Sequence, residues 1–330
     1  MQDPVRWGIL GCARIAIGQV MPAMMQVKGA EIWAVASRSL EKAEKAASAF
    51  SANAAYGSYE ALLDDPDVEA VYIPLPNHLH KPWAIAAVRS GKHVLCEKPI
   101  ALNAAEAREM QAAARESRRF LLEAFMYRFS PVVQRAMQMI RDGILGEPRA
   151  IHSIFSFLLS DDPSNIRLQA NVGGGALYDA GSYCINVQRT LSGREPRLAW
   201  ASFSWSPKYH VDMGGVGVLD FGDQLYGTFF TGFNAQQGSY FRVSGTKGTL
   251  EAPLGFLGRE KEAELVLTAN GRMERMVLEP ANPYVLEIED MCAALRGERA
   301  ALFGGEPLEA NMRVIDACYA SDKAGQAVEV

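Results

Sequence analysis

Apolar runs alternate with helix-forming stretches through the first third of the chain. The pattern predicts short strands at 6–10, 31–36 and 68–76, separated by segments rich in Ala, Glu and Lys, which favour helices. The runs HVLCEKP and RRFLLEAF continue the alternation as two more strands. Strands separated by helices at this spacing are typical of βαβ units. This part of the sequence therefore predicts an α/β domain with a doubly wound parallel sheet.

The pattern changes at about residue 124. The segment SPVVQRAMQMIRDGILGEP has apolar positions at helical spacing, and residues 150–159 then read as a strand. Further strand-like runs follow with turn residues between them, and EANMRVIDACYASDKAG predicts a closing helix. We therefore expect two domains, at 1–123 and 124–330, the second of α+β type with a mostly antiparallel sheet.

Composition excludes several classes of function. The chain has 330 residues, 49% of them hydrophobic and 22% charged, with a formal net charge of -5 and no basic run of the kind that binds nucleic acid. No apolar stretch reaches the ~20 residues of a membrane helix, and the N-terminus lacks a signal-peptide layout. The five cysteines are odd in number and far apart, which favours free thiols in a reducing cytoplasm.

The turn after the first strand carries a partial dinucleotide fingerprint. Its pattern is Gly11-x-Ala13-x-x-Ala16, which keeps one of three ideal glycines. It predicts a pyrophosphate site, and the alternative is a close-packed turn without a ligand. The second strand ends in Ser37-Arg38-Ser39 where an acidic residue would select NAD. A hydroxyl and a guanidinium suit a 2′-phosphate, so NADP is favoured over NAD, unless Arg38 is a solvated surface charge.

Two further segments carry candidate chemistry. Lys98 lies in a charged Glu97-Lys98-Pro99 turn at the carboxyl end of a buried strand, where open α/β sheets build active sites. The run GGGALYDAGSY places Asp179 and Tyr183 four residues apart, on one face of a predicted helix. The alternatives are a solvated turn lysine, a helix-start aspartate and a packing tyrosine. His78 and His80 have no third ligand at metal spacing, so no metal site is predicted.

The segments RWGILGCARIA, PLPNHLH, GKHVLCEKPI and GGGALYDAGSY together closely resemble the Gfo/Idh/MocA oxidoreductase family. The resemblance covers essentially the whole chain and is strongest to sugar and dihydrodiol dehydrogenases of that family. It implies a Rossmann domain followed by a domain with a large, open-faced sheet that often forms a homodimer or homotetramer interface. The sequence departs from the family pattern at Ala13, where glycine is more usual. The cofactor residues that it implies are Gly11, Ala13, Arg14, Ile15, Ser37, Arg38, Leu75, Asn77, His80, Glu97 and Lys98.

The implied reaction is hydride transfer between a nicotinamide and a carbon bearing a hydroxyl group. Tyr183 is the expected general acid and base, because a nearby Lys98 ammonium would favour the phenolate. Asp179 would orient the substrate or hold Lys98, and Arg167 would bind substrate hydroxyls or a cofactor phosphate. The predicted substrate is a sugar or polyol. The alternatives are a trans-dihydrodiol dehydrogenase and a non-catalytic NADP-binding regulator.

Overall fold

The computed structural model describes residues 3–256 and 263–330, which form two compact units. Unit 1 comprises Met1–Met126 and Asn282–Glu309, and unit 2 comprises Tyr127–Ala281 and Ala310–Val330. The division at 123/124 expected from the sequence stays a prediction. The structure adds that the segment Asn282–Glu309 joins the first unit, which no sequence pattern indicated.

Unit 1 contains a parallel sheet of six strands among the described residues, in the order β3-β2-β1-β4-β5-β6. Its central strands are buried on both faces, as the continuous apolar runs of a parallel sheet require. The strands are β1 (Val5–Leu10), β2 (Ala30–Ala36), β3 (Ala54–Tyr56), β4 (Ala70–Ile73), β5 (His93–Glu97) and β6 (Leu121–Ala124). This sheet confirms the predicted Rossmann-type α/β fold.

Helices connect these strands, and side-chain caps define where several of them begin. The Ser39 hydroxyl accepts from the Lys42 amide at 3.4 Å, and the Asn103 side chain accepts from the Glu106 amide at 2.9 Å. The helix predicted after β1 begins instead with a π-helical turn at Ala16–Val20, before a short α-helix that contains Pro22. The α-helices are α1 (Met21–Met24), α2 (Leu40–Ala49), α3 (Tyr59–Leu63), α4 (His80–Arg89) and α5 (Ala104–Glu116).

A later helix, α8 (Pro283–Leu295), completes unit 1. Arg296, at its end, makes a two-pronged ion pair with Glu69, which lies next to β4. The two nitrogen–oxygen distances are 2.9 and 3.0 Å. The guanidinium of Arg296 lowers the pKa of the Glu69 carboxyl. A paired fork of this kind fixes orientation as well as charge, so it attaches α8 to the sheet of unit 1.

Unit 2 is built on a nine-stranded sheet, counted over the described residues, in the order β14-β13-β12-β11-β7-β10-β9-β8-β15. Its pairs are antiparallel except for β7 with β10, so the prediction of a mostly antiparallel sheet is confirmed. The strands are β7 (Pro148–Leu158), β8 (Leu198–Trp205), β9 (Asp212–Asp220), β10 (Tyr226–Gly232), β11 (Asn234–Gly245), β12 (Gly248–Ala252), β13 (Ala263–Ala269), β14 (Arg272–Leu278) and β15 (Val328–Glu329).

The helices of unit 2 are α6 (Pro131–Arg141), α7 (Ser182–Ser192) and α9 (Glu309–Ala324). Buried polar side chains join α7 to the inner face of the sheet: the Ser153 hydroxyl donates to the Cys184 carbonyl at 3.2 Å and accepts from the Gln188 amide at 2.9 Å. Over residues 3–256 and 263–330, no helix has both the length and the apolar character that a membrane span requires.

Candidate active site

The carboxyl ends of β1 and β4 lie side by side at the point where the strand order of unit 1 reverses. Open α/β sheets bind their ligands in the crevice at such a switch point. Gly11 follows β1 with φ +117°, a conformation that side chains disfavour. A Cβ atom at Gly11 would lie 2.9 Å from the Leu75 side chain, which follows β4. Two predicted cofactor residues thus meet at this crevice.

The end of β2 lies next to the same turn. The Gly11 amide donates to the Ala36 carbonyl at 2.9 Å, so Ser37 and Arg38 follow directly beside the β1 turn. Arg38 is exposed and interacts with the Tyr59 hydroxyl of α3. Burial raises the pKa of Tyr59, and the Arg38 charge opposes that shift. Ser37 is buried, and its hydroxyl accepts from the Ser39 amide at 3.3 Å, so the binding of a phosphate by Ser37 and Arg38 stays a prediction.

His80 connects two turns of the predicted cofactor region. Its Nε2 lies 2.7 Å from the Leu75 carbonyl oxygen, and its Nδ1 lies 2.9 Å from the Pro99 carbonyl oxygen. The side chain is fully buried, and burial lowers the pKa of His80 to about 4. The imidazole therefore fixes the turn after β4 against the turn that carries Lys98. Both ring nitrogens face carbonyl oxygens of the chain itself. The expected contact of His80 with a cofactor stays a prediction.

The carboxylate of Glu97 is held by its own unit. It accepts from the Tyr72 hydroxyl at 2.6 Å and from the Lys98 amide at 3.2 Å. Burial, followed by the Glu97 charge, raises the pKa of Tyr72 well above its usual value. These bonds fix the turn at the end of β5, and Lys98 is partly exposed there, next to a cis Lys98–Pro99 peptide bond.

In unit 2 the glycine run forms a sharp chain reversal. Gly173 and Gly175 have φ of +84° and +124°, and the Gly175 amide donates to the Arg167 carbonyl at 2.9 Å. The reversal brings the Arg167 guanidinium to Asp179, with Nε to Oδ2 at 2.6 Å. The Asp179 charge raises the pKa of Arg167. Asp179 is thus a paired carboxylate.

The predicted helix through Asp179 and Tyr183 is present, but its first turn is π-helical rather than α-helical. Residues Leu177–Gly181 form a π-helical turn, and α7 begins only at Ser182. Tyr183 is half-buried among aromatic rings, with its centroid 5.2 Å from that of Phe155 and 5.5 Å from that of Tyr127. Tyr183 also acts electrostatically on Arg167. Asp179 and Tyr183 therefore share Arg167 as a neighbour, although the helix between them is not regular.

Comparison with known proteins adds to this geometry. Residues 5–125 match the model of an oxidoreductase family with an NAD-binding Rossmann fold, and residues 133–251 match the GFO/IDH/MocA C-terminal domain. The chain belongs to the GFO/IDH/MocA oxidoreductase family.

Named relatives within the GFO/IDH/MocA family act on sugars and diols. The chain is 36% identical over 325 residues to an NADP(+)-dependent D-xylose 1-dehydrogenase of Haloferax volcanii, covering 98% of this chain and 99% of that protein. It is 35% identical over 246 residues to the trans-1,2-dihydrobenzene-1,2-diol dehydrogenase of Mus musculus, covering 74% of this chain and 73% of that protein. The first resemblance covers nearly the whole chain, and the second covers about three quarters of it.

Solved structures of GFO/IDH/MocA-type enzymes superpose over nearly the whole chain. An aldose-aldose oxidoreductase of Caulobacter crescentus, in complex with glycerol, has a TM-score of 0.93 at 26% identity, covering 99% of this chain and 100% of that one. The 3-ketoreductase KijD10 of Actinomadura kijaniata, in complex with NADP and TDP-benzene, has a TM-score of 0.90 at 29% identity, covering 97% and 98%. Variants of that ketoreductase with a lysine changed to alanine or a tyrosine changed to phenylalanine also match.

In each unit, the sequence analysis missed residues that contact the candidate side chains. Tyr59, which interacts with Arg38, lies on α3 and belongs to none of the motifs of the sequence analysis. Phe155 and Phe256 enclose Tyr183, but they lie far from it in sequence and belong to no motif. The contact between Tyr59 and Arg38 leaves no periodic pattern in the sequence, because it depends on how strands and loops meet in space.

Proposed function

We propose that the chain is an NADP-dependent oxidoreductase that transfers a hydride between the nicotinamide and a carbon bearing a hydroxyl group in a carbohydrate or polyol. The observation that carries the proposal is similarity over nearly the full length to an NADP(+)-dependent D-xylose dehydrogenase, in a chain whose β2 is followed directly by Ser37 and Arg38. The trans-dihydrodiol dehydrogenase alternative is favoured by the Mus musculus relative, which covers about three quarters of the chain.

The residues of unit 1 fit the cofactor that this function requires. Gly11 gives the close backbone turn for the pyrophosphate, with Ala13, Arg14 and Ile15 on the first helical turn. Ser37 and Arg38 are proposed to hold the 2′-phosphate, and Leu75 and Asn77 to line the ribose and nicotinamide side. When bound, NADP supplies the hydride acceptor, or in the reduced form the donor.

Proton transfer at the reacting oxygen is assigned to Tyr183. An unperturbed phenol has a pKa of ~10, so it needs a neighbouring positive charge to act as a base near neutral pH. Arg167 is that neighbour within unit 2, because its charge interacts with the Tyr183 hydroxyl. Lys98 is proposed to donate a hydrogen bond to the substrate oxygen, so that negative charge at this oxygen is stabilised during reaction.

Asp179 is proposed to orient the substrate through its carboxylate. The ion pair with Arg167 fixes the carboxylate, and 18% of the Asp179 side chain stays exposed for a substrate hydroxyl. Arg167 therefore supports both Asp179 and Tyr183 rather than a cofactor phosphate. Of the two roles expected for Asp179, this proposal keeps the orientation of the substrate and leaves out the holding of Lys98.

The first experiment follows NADPH absorbance with a panel of aldoses, keto sugars and trans-dihydrodiols. The proposal expects cofactor reduction with a sugar or polyol and a preference for NADP over NAD. Turnover only with dihydrodiols would favour the alternative dehydrogenase. Tight NADPH binding without turnover on any member of the panel would favour the non-catalytic regulator and would contradict the proposal.

The second experiment tests the assigned residues. Tyr183→Phe and Lys98→Met are each expected to lower kcat by at least about a hundredfold, in the range of general acid–base contributions, with NADPH affinity within about threefold of wild type. The matched controls are Tyr178→Phe, which removes the hydroxyl of a tyrosine five residues before Tyr183, and Lys81→Met, which removes a surface ion pair with Glu109. Near-normal turnover in Tyr183→Phe would remove its role in proton transfer.

Assembly through the outer face of the unit 2 sheet is also proposed. Trp200 of β8 pairs with Val218 of β9, and both side chains are exposed, at 38% and 39%. Large exposed apolar side chains on neighbouring strands are typical of subunit interfaces. We expect a homodimer or homotetramer, and Val218→Glu should yield monomers in light scattering after gel filtration.

A cytoplasmic location is proposed from the five free cysteines.

A further inference from the structure

A second concave site lies wholly inside unit 2, at the β8 side of the sheet. It is a pocket of about 530 Å³ formed by the loop before β9, the carboxyl end of α9 and the turn that precedes α7. Pockets of this volume accommodate small organic ligands. Asp179 and Tyr183 are not among its lining residues as the structure describes them. The pocket is therefore separate from the residues to which the reaction has been assigned.

The wall of the pocket is aromatic. Tyr319 of α9 lies at its centre, with its ring centroid 5.4 Å from Tyr178 and 5.8 Å from Trp205. The interplanar angles are 54° and 42°, so the three rings form a concave cluster rather than a flat stack. Trp205 is 48% exposed. Aromatic side chains that line a concave surface together with a few polar groups are typical of ligand-binding sites.

The exposed indole is nevertheless fixed in place. The Trp205 Nε1 donates to Asp322 Oδ2 at 2.9 Å, and the Phe203 amide donates to Asp322 Oδ1 at 2.8 Å. The carboxylate thus holds the ring in one orientation, so the exposed face is presented as a rigid surface. A preorganised aromatic face loses little conformational entropy when a ligand stacks on it.

The base of the pocket is a satisfied polar group. Asp212 is 1% exposed, and it accepts from the Tyr319 hydroxyl at 2.8 Å and from the Leu177 amide at 2.7 Å. The Tyr319 oxygen keeps acceptor capacity after donating its proton. The floor can therefore accept a hydrogen bond from a ligand hydroxyl without first breaking a bond.

The rim carries both donors and acceptors. Lys323 and His210 are exposed at the entrance, and Asp322 has acceptor capacity beyond its two bonds. The charges of Lys323 and Asp322 are adjacent in sequence and opposite in sign. A ligand of strong net charge of either sign would meet one repulsive group, whereas a neutral ligand with several hydroxyl groups can bond to both.

We propose that this pocket binds a neutral monosaccharide ring, as a carbohydrate site distinct from the one where the reaction occurs. The apolar face of the ring would stack on Trp205 and Tyr178, and its hydroxyls would bond to Tyr319, Asp322 and Lys323. The proposal does not depend on the proposed reaction, because it concerns binding in the absence of NADP or NADPH.

The experiment measures binding of methyl β-D-xylopyranoside and methyl β-D-glucopyranoside to the full chain without cofactor. Saturation-transfer NMR titrations give the Kd, and choline chloride is the cationic comparison. Trp205→Ala is expected to raise the Kd for the glycosides at least about tenfold, and Trp205→Phe by less. The matched control is Phe120→Ala, which removes an exposed aromatic ring of unit 1 that does not line the pocket. Circular dichroism checks that each variant is folded. The second variant is Lys323→Ala, at the exposed rim, which is expected to raise the Kd for the glycosides about threefold.

The outcomes separate the possibilities. Glycoside binding that depends on Trp205 and is retained in Tyr183→Phe supports a second site. Binding that is lost equally in Tyr183→Phe would assign the sugar to the reacting site and overturn the proposal. The proposal also fails if neither glycoside binds, if Trp205→Ala binds as wild type does, or if choline binds in place of the sugars.

Discussion

Acidification is expected to destabilise unit 1 through His80. The side chain is fully buried, and its folded-state pKa is about 4, below the ordinary value of 6.5. The unfolded chain therefore takes up more protons, so stability is complete above pH 6.5 and falls as the pH drops towards 4. A shift of this size implies a loss of about 2 kcal/mol between pH 7.5 and pH 5.0, at 1.36 kcal/mol for each pKa unit.

The assay is urea unfolding followed by tryptophan fluorescence at both pH values. His80→Gln cannot titrate, so its stability is expected to change by about 2 kcal/mol less than that of wild type over the same interval. His93, whose pKa also falls to about 4 mainly through burial, provides the control, since His93→Gln should leave the His80 contribution in place. Equal losses in wild type and His80→Gln would refute the reasoning.

Three further outcomes are expected. Arg167→Met should lower kcat/KM at least about tenfold, because Asp179 loses its ion pair, and unchanged steady-state kinetics would contradict this role. Gly175→Ala should lower the free energy of unfolding, measured by thermal unfolding, by several times the ~1 kcal/mol expected for Gly193→Ala. Both have positive φ, but only at Gly175 would a Cβ meet Asp212. A thiol reagent should modify Cys12 before the other cysteines of the native chain, because Cys12 is partly exposed and the others are buried. The reaction should be faster at higher pH, because burial raises the pKa of the Cys12 thiol. A Cys12→Ser variant that reacts as fast as wild type would contradict this expectation.

Most strands of unit 1 could be predicted because their apolar runs are flanked by turn residues and good helix formers. The short edge strand β3 was missed, since its three residues, Ala54–Tyr56, are only half-buried and carry no run of apolar residues. In unit 2 the strands β12 to β14 were also missed. Many of their side chains are partly or largely exposed, so polar residues are mixed with apolar ones and their composition resembles that of loops.

The candidate site was predictable where chemistry is local in sequence. Gly11, Ser37 and Lys98 each follow a strand, and strand ends of a parallel sheet meet at one edge. The π-helical turn at Leu177–Gly181 was not predictable, because the hydrogen-bond pattern that defines it leaves no periodic mark. The Arg167–Asp179 pair and the His80 bridge depend on chain reversals, whose geometry is set by packing and glycine dihedral angles.

The attachment of Arg296 to Glu69 has a consequence for biosynthesis. During translation the first 126 residues leave the ribosome long before α8 is synthesised, so unit 1 emerges without one of its helices. Folding of unit 1 is complete only after the intervening residues 127–281 have been translated. A truncated gene ending near position 126 would therefore yield an incomplete half, whereas one that also encodes residues 282–309 through a short linker would restore the missing piece.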